Sequence, residues 1–338
     1  MAGGPPVGAS RRYIVDRMTV AAVICMVLFG TSFWGLVIAL KGIPPVTLGF
    51  LRALLVFCFM ISLLIFLDRV MGRKGMLRKD NIVRAGLKGR KGLLMAVSLA
   101  VFSTVLPNIF QNVGMTMMDP GSTSSLTALI QGVSPVFTIL FAVPVLHEKL
   151  GVWKLTGLLI AVPATAVLTT YGSGGLDLGS RETIGAFLNL VTAFSYSISG
   201  LILKSAMNRG GRPVHLVLVN SMYGTLILLP ICLVIWFAGW EDPFRLIGSG
   251  GHVWLALIYT SIGLYGITAV LWYRVIRSGD LSRVTFFVFL LPVFSYIVGF
   301  ILLNERLGAV QMLAGAALLV GVGLSQMGRK KVLTLEQN

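Results

Sequence analysis

Ten runs of roughly twenty residues, apolar almost throughout, recur along the 338-residue chain, and no other feature limits its fold so sharply. They fall near 19–40, 45–67, 92–115, 122–146, 152–171, 182–204, 214–238, 252–274, 283–303 and 308–327. At about 1.5 Å per residue each can cross a hydrocarbon core of about 30 Å. Inside lipid every backbone N–H and C=O needs an internal partner, so a spanning segment is either a helix or a strand of a closed barrel. These runs are too continuous, and alternate too little, for barrel strands. An all-α polytopic membrane protein with ten transmembrane helices is the expected fold. With 56% hydrophobic and only 12% charged residues, the chain has too few charges to coat a soluble globule of its length. The first run is too long for a signal-peptide core and has no small-x-small cleavage site after it, so it is expected to stay as a helix.

A net charge of +16 would suggest nucleic acid in a soluble protein. Its distribution has a different cause. If the N-terminus is cytoplasmic, 23 of the 28 Lys and Arg residues fall in cytoplasmic segments, nine of them within 68–91. The other side holds Lys41, Arg181, Arg245 and Arg306, and Arg52 lies inside a span. Such a bias is the positive-inside pattern. It predicts cytoplasmic N- and C-termini in a plasma or prokaryotic inner membrane, with the lipid bilayer and no nucleic acid as partner. The basic loop 68–91 is expected against anionic lipid.

Residues 135–151, PVFTILFAVPVLHEKLG, and residues 292–308, PVFSYIVGFILLNERLG, match without a gap at an offset of 157 residues. A period of nearly half the chain is a duplication and not a solenoid repeat. The layout read from it is a tail at 1–18, a first five-helix repeat at 19–171, a linker at 172–181, a second repeat at 182–327 and a tail at 328–338. Five spans per copy is an odd number, so the second copy enters the membrane upside down. Inverted repeats around a midplane site are a recurrent build of secondary transporters.

The doubled Pro-Val-Phe…Glu-[Lys/Arg]-Leu-Gly segment, the run Phe50-Leu51-Arg52-Ala53-Leu54-Leu55 and the five-plus-five layout resemble the EamA-type branch of the drug/metabolite transporter superfamily over about residues 19–327. The resemblance implies a ten-helix carrier with a central cavity that moves small metabolites, often outward, with amino acids as a common substrate class. One departure stands out. Where the second copy would carry an arginine, it reads Val217-Leu218-Val219-Asn220-Ser221.

Polar side chains in hydrocarbon are costly unless they face protein or a wet cavity, so those inside spans are the candidate binding residues. Thr104, Asn108, Gln111 and Asn112 share one helical face of span three, and Asn189, Thr192, Tyr196 and Ser199 recur along span six. Tyr265, Thr268 and Trp272 in span eight, Gln131 in span four, Tyr296 in span nine, and Thr31 and Trp34 in span one complete the set. Amides and hydroxyls can bind the two ends of a zwitterion, and aromatic rings can wall an apolar part. The same residue types also join helices by hydrogen bonds, and Trp34 and Trp272 are equally readable as interface anchors.

Arg52 sits about 12 Å from the outer end of its span, where an unpaired arginine costs on the order of 3 kcal/mol. It can snorkel, pair with Glu305 or hold a substrate carboxylate, and the structural roles rank first. Pro135 and Pro292 interrupt spans at matched positions and are the hinge candidates, with a fixed packing bend as the alternative. Gly157, Ala161 and Thr165, like Ala317 and Gly321, have the small-xxx-small spacing of close helix packing. Cys25, Cys58 and Cys232 lie in apolar runs without metal-ligand spacing and read as small hydrophobes.

All twelve acidic residues fall in loops, tails or span ends, so a proton-coupled carboxylate in mid-membrane is not expected, and a uniporter or exchanger is. Phosphate-loop, zincin and intramembrane-protease motifs are missing, which leaves no catalytic residues, metal or cofactor to propose. The expected function is therefore secondary transport of small polar metabolites, amino acids first, by alternating access. A phosphorylated-sugar or nucleotide-sugar exchanger and a non-transporting membrane scaffold are the alternatives, and the oligomeric state is open.

Overall fold

The computed structural model describes residues 7–69, 89–146, 152–172, 175–176, 179–278, 288 and 290–327. In chain order its helices are α1 Val7–Leu40, α2 Pro45–Arg69, α3 Gly89–Met117, α4 Thr123–Gln131, α5 Ser134–Leu146, α6 Val152–Thr170, α7 Arg181–Asn208, α8 Pro213–Phe237, α9 Gly251–Arg277, α10 Leu290–Leu303 and α11 Ala309–Met327. Among the described residues the rest of the regular structure is a single 3₁₀ turn, Pro243–Leu246, and a two-residue ladder of β1 Tyr171–Gly172 with β2 Gly175–Leu176. Six helices (α1 from Val20, α2, α3, α7, α8 and α9) are long and apolar enough to span a membrane, and α6, α10 and α11 hold shorter apolar stretches. The protein is an all-α polytopic membrane protein. The segment Glu148-Lys149-Leu150-Gly151, the greater part of loop 68–91 and the tail 328–338 lie outside the described residues.

Two expectations change. Helix α1 already begins at Val7, within the stretch read as a tail, and its 34 residues exceed the span of the hydrocarbon core. The fourth span is two helices, α4 and α5, broken at Gly132 and Val133. Gly132 N–H turns back to the carbonyls of Ala128 and Leu129, and Val133 N–H to that of Ile130. Pro135 has no N–H to give to Gln131, so the helical ladder cannot run through the break. A Cβ on Gly132 would stand 3.2 Å from Pro292 Cγ, so the break lies against the matched proline of α10.

The packing has an internal symmetry. Extensive contacts include α2 with α8, α6 with α11, α4 with α10, α1 with α10, α3 with α7, α1 with α9, and α7 with both α4 and α5. Exchanging each helix for its counterpart in the other half maps this set onto itself: α1–α10 becomes α7 with α4 and α5, and α3–α7 becomes α9–α1. The counterparts α2 and α8 run antiparallel, since Trp236 near the end of α8 donates to Thr47 Oγ1 near the start of α2 at 2.8 Å. In lipid there is no hydrophobic drive between helices, so close fit must hold them. The α6–α11 pair shows this: a Cβ on Gly321 would come within 2.8 Å of Gly157 O and Ala161 N.

Polarity runs from outside to inside. Val152, Leu155, Leu159 and Leu313 are exposed on α6 and α11, whereas Asn108, Gln111, Asn112, Thr127 and Asn189 are buried. At the end reached by α1 and α3, two carboxylates cap helices of the opposite half. Glu241 accepts from the Val46 and Thr47 backbone N–H groups at 2.9 and 2.8 Å and from Thr47 Oγ1 at 2.7 Å. Glu305 accepts from both the N–H and the hydroxyl of Ser124 and of Ser125, at 2.6–3.0 Å. Acceptors at a helix N-terminus satisfy donors that have no intrahelical partner.

Candidate functional site

A cavity of about 290 Å³ lies where α1, α2, α3, α5, α7, α8 and α9 converge with the end of α4 and the start of α10. Two departures from α-helical geometry shape its wall. In α3, Val101–Val105 is π-helical just before Pro107, which has no N–H for the Ser103 carbonyl. In α9, Tyr259–Thr268 is π-helical, and Thr268 Oγ1 donates to Gly263 O at 2.8 Å. The two stretches overlap at the 157-residue offset. Each brings hydroxyl side chains to the cavity, Ser103 and Thr104 from α3 and Tyr265 from α9, as π-turns at functional sites often do.

Arg52 is at the centre of the polar wall, with only 2% of its surface exposed. Its Nη1 donates to Asn108 Oδ1 at 2.9 Å, and Asn108 Nδ2 donates to Thr104 O at 2.7 Å. The guanidinium carbon stands 4.3 Å from the centroid of the Tyr265 ring, a cation–π contact. Tyr265 and Tyr196 share a hydrogen bond between their hydroxyls at 2.6 Å. Nε and Nη2 of Arg52 have no partner. Among the described residues no carboxylate pairs with it. The expected bridge to Glu305 does not form, because that carboxylate is taken by Ser124 and Ser125, and snorkelling is excluded by burial.

Of the residues expected at a binding site, Asn108, Gln111, Gln131, Tyr196, Tyr265 and Trp272 line the cavity together with Arg52 and Pro135. Gln131 Nε2 is buried without a partner, and Trp272 packs edge-on against Phe29 at 6.2 Å. Four residues do not line it. Asn112 donates to Pro45 O at 3.0 Å and joins α3 to the start of α2. Asn189 turns back to Gly185 O at 2.9 Å. Trp34 meets the Tyr259 ring at 6.5 Å, where the Tyr259 hydroxyl is hydrogen-bonded to Thr31. Tyr296 lies beside Phe300, 6.3 Å between rings. For Asn112, Asn189 and Trp34 the helix rotation points the side chain into a helix contact, and Tyr296 stays against a neighbour on its own helix. Pro292 is buried against Gly132 and does not line the cavity.

The cavity also recruits residues that sequence reasoning passed over. Ser103 Oγ donates to Asn220 Oδ1 at 2.8 Å, and both face it. Asn220 had a signal: it follows the helix-opening Pro213 by seven residues, as Arg52 follows Pro45. Ser197 Oγ donates to Ser134 O at 2.6 Å, which ties α7 to the first turn of α5, and no pattern in the sequence marks that pair. Met26, Phe29, Phe33 and Leu291 make the apolar part of the wall. The lining continues to Leu203, Val217 and Ile276, toward the end of the bundle where α2 finishes and α8 begins.

A polytopic helix bundle with a partly polar chamber between its helices defines a class, the membrane transporters of small molecules. The chain belongs to the EamA-like transporter family, which it matches over residues 17–170 and again over 183–327. That places it in the drug/metabolite transporter superfamily. A probable amino-acid metabolite efflux pump of Escherichia coli is 24% identical over 91% of this chain and 94% of its own. The uncharacterized transporter YvbV of Bacillus subtilis is 25% identical over 62% of this chain and 64% of its own. A solved crystal structure superposes with a TM-score of 0.63 at 16% identity, covering 94% of this chain and 99% of that one. At that identity the likeness is one of fold.

Proposed function

We propose that this transporter is an exporter or exchanger of small polar metabolites, amino acids first, working by alternating access of two inverted five-helix halves. Its membrane on this reading is the plasma or prokaryotic inner membrane, with both termini cytoplasmic. The observation that carries it is the make-up of the chamber: among the described lining residues, amides, hydroxyls and aromatic rings surround one cation, and none is a carboxylate. A zwitterion or monoanion fits that balance, whereas a phosphorylated sugar brings about two charges and calls for further bases. The name of the Escherichia coli relative supports the same substrate class.

Alternating access is supported by the asymmetry of the two ends. The lining extends toward the end rich in Lys and Arg, while at the other Glu241, Glu305 and the Thr31–Tyr259 pair tie the halves together. Opening that second end requires those bonds to break, and a substrate drives the change only through a difference in affinity between the two states.

Counterflow in proteoliposomes tests this. Vesicles preloaded with an amino-acid pool are expected to accumulate labelled amino acid, and vesicles preloaded with sugar phosphates and nucleotide sugars are not expected to accumulate theirs. Uptake confined to the phosphorylated pool, or none with either pool from correctly folded protein, would overturn the reading.

A further inference from the structure

We propose that the Nε–Nη2 edge of Arg52 is a carboxylate-binding subsite that receives a monocarboxylate with an apolar body. The inference rests on the carrier reading and deepens it. A guanidinium has five N–H donors, and those on Nε and Nη2 lie side by side in the fork that matches the two oxygens of a carboxylate. In Arg52 that fork is the unpaired part. Nη1 is held by Asn108, the Tyr265 ring packs against the guanidinium, and Nε and Nη2 are buried with no acceptor.

A cation nine-tenths or more buried with two donor nitrogens unmet is expensive, and natural proteins rarely keep one without a partner. Among the described residues no carboxylate supplies it. The groups around Arg52 hold it in place from the other sides: Asn108 is itself fixed by Thr104 O, and Tyr265 by Tyr196. Arg52 lines the cavity, and its recognition edge, buried in this conformation without an acceptor, fits a ligand's carboxylate as the missing partner once a small turn of the guanidinium brings the two together. The body of that ligand meets Phe29, Phe33, Trp272 and Leu291, which line the same chamber and favour an apolar group. Gln131, with an unpaired Nε2 on the same wall, adds a donor and no negative charge.

The test compares ligands that differ only at the proposed contact, first on the wild-type protein. Purified full-length transporter in detergent is titrated with 4-methylpentanoate and 4-methylpentanamide, and with leucine and leucinamide, reading the ligand-induced rise in unfolding temperature. The acids are expected to bind at least about 10-fold more tightly than their amides, as loss of a bidentate charge-assisted pair implies. Equal binding of acid and amide, or no shift with either acid, overturns the subsite. Arg52→Met and Arg52→Lys follow. The first is expected to bring acid and amide within about 2-fold of each other, and the second to recover only part of the preference, because an ammonium lacks the fork. An Arg52→Met protein that still prefers the acid by 10-fold refutes the proposal. If Arg52→Met does not fold, the wild-type comparison decides alone. Counterflow of amino acids that persists with equal affinity for acid and amide would leave the carrier reading standing while this one falls.

Discussion

Arg52 and Glu305 are both buried charges at helix contacts between the two halves, and their surroundings are opposite in kind. Glu305 has four donors on its two oxygens, all from Ser124 and Ser125, and its charge is met by the N-terminus of α4. Arg52 has one acceptor and one aromatic ring, with two nitrogens unmet. A satisfied buried charge rigidifies, and its removal strands the groups that satisfied it. An unsatisfied one is a liability to the fold that persists for another reason. The pair thus separates a residue that holds the bundle together from one held ready by it.

The largest expected effect breaks the satisfied side. Glu305→Ala removes the acceptor from two buried backbone N–H groups and two hydroxyls, and is expected to cost about 3 kcal/mol of stability in detergent, read by thermal or denaturant unfolding. Glu305→Gln, which keeps an acceptor, should lose less. Next comes Gly299→Ala. Its Cβ would lie 2.6 Å from Glu305 Oε2 and 2.8 Å from Ser125 Oγ, so the same cap is wedged apart and about 2 kcal/mol is lost.

Arg52→Met sharpens the contrast from the other side. An apolar residue of similar length replaces a charge that lacks partners, so unfolding is expected within about 1 kcal/mol of wild type while carboxylate counterflow falls at least 10-fold. Destabilisation as large as that of Glu305→Ala would erase the distinction between the two. The smallest effect belongs to Tyr196→Phe, which removes only the hydroxyl bond that steadies Tyr265 over Arg52, and a roughly 3-fold rise in substrate KM in counterflow is the expected reading.

Much of this was legible beforehand for physical reasons. Length and apolarity alone force helices in lipid, and the Lys and Arg asymmetry and the 157-residue repeat are linear patterns that need no coordinates. The polar faces of spans three, six and eight do converge, since Asn108, Gln111, Tyr196, Tyr265 and Trp272 share one chamber. Asn112 and Asn189 lie on the same stripes yet serve helix contacts. Their fate depends on how each helix is rotated against its neighbours, which the linear pattern does not fix.

Arg52 marks the boundary most clearly. The sequence by itself determined that this chain is a duplicated helical membrane protein and that one arginine must sit inside a span, because burial of backbone and of charge in hydrocarbon leaves few choices. It did not determine the partner of that arginine. The expected partner, Glu305, belongs to Ser124 and Ser125, 181 and 180 residues away in the chain, and Arg52 is turned instead toward Asn108 and Tyr265. Only tertiary structure settles such a choice, because which of several donors reaches a carboxylate is fixed by helix crossing and rotation across the two halves.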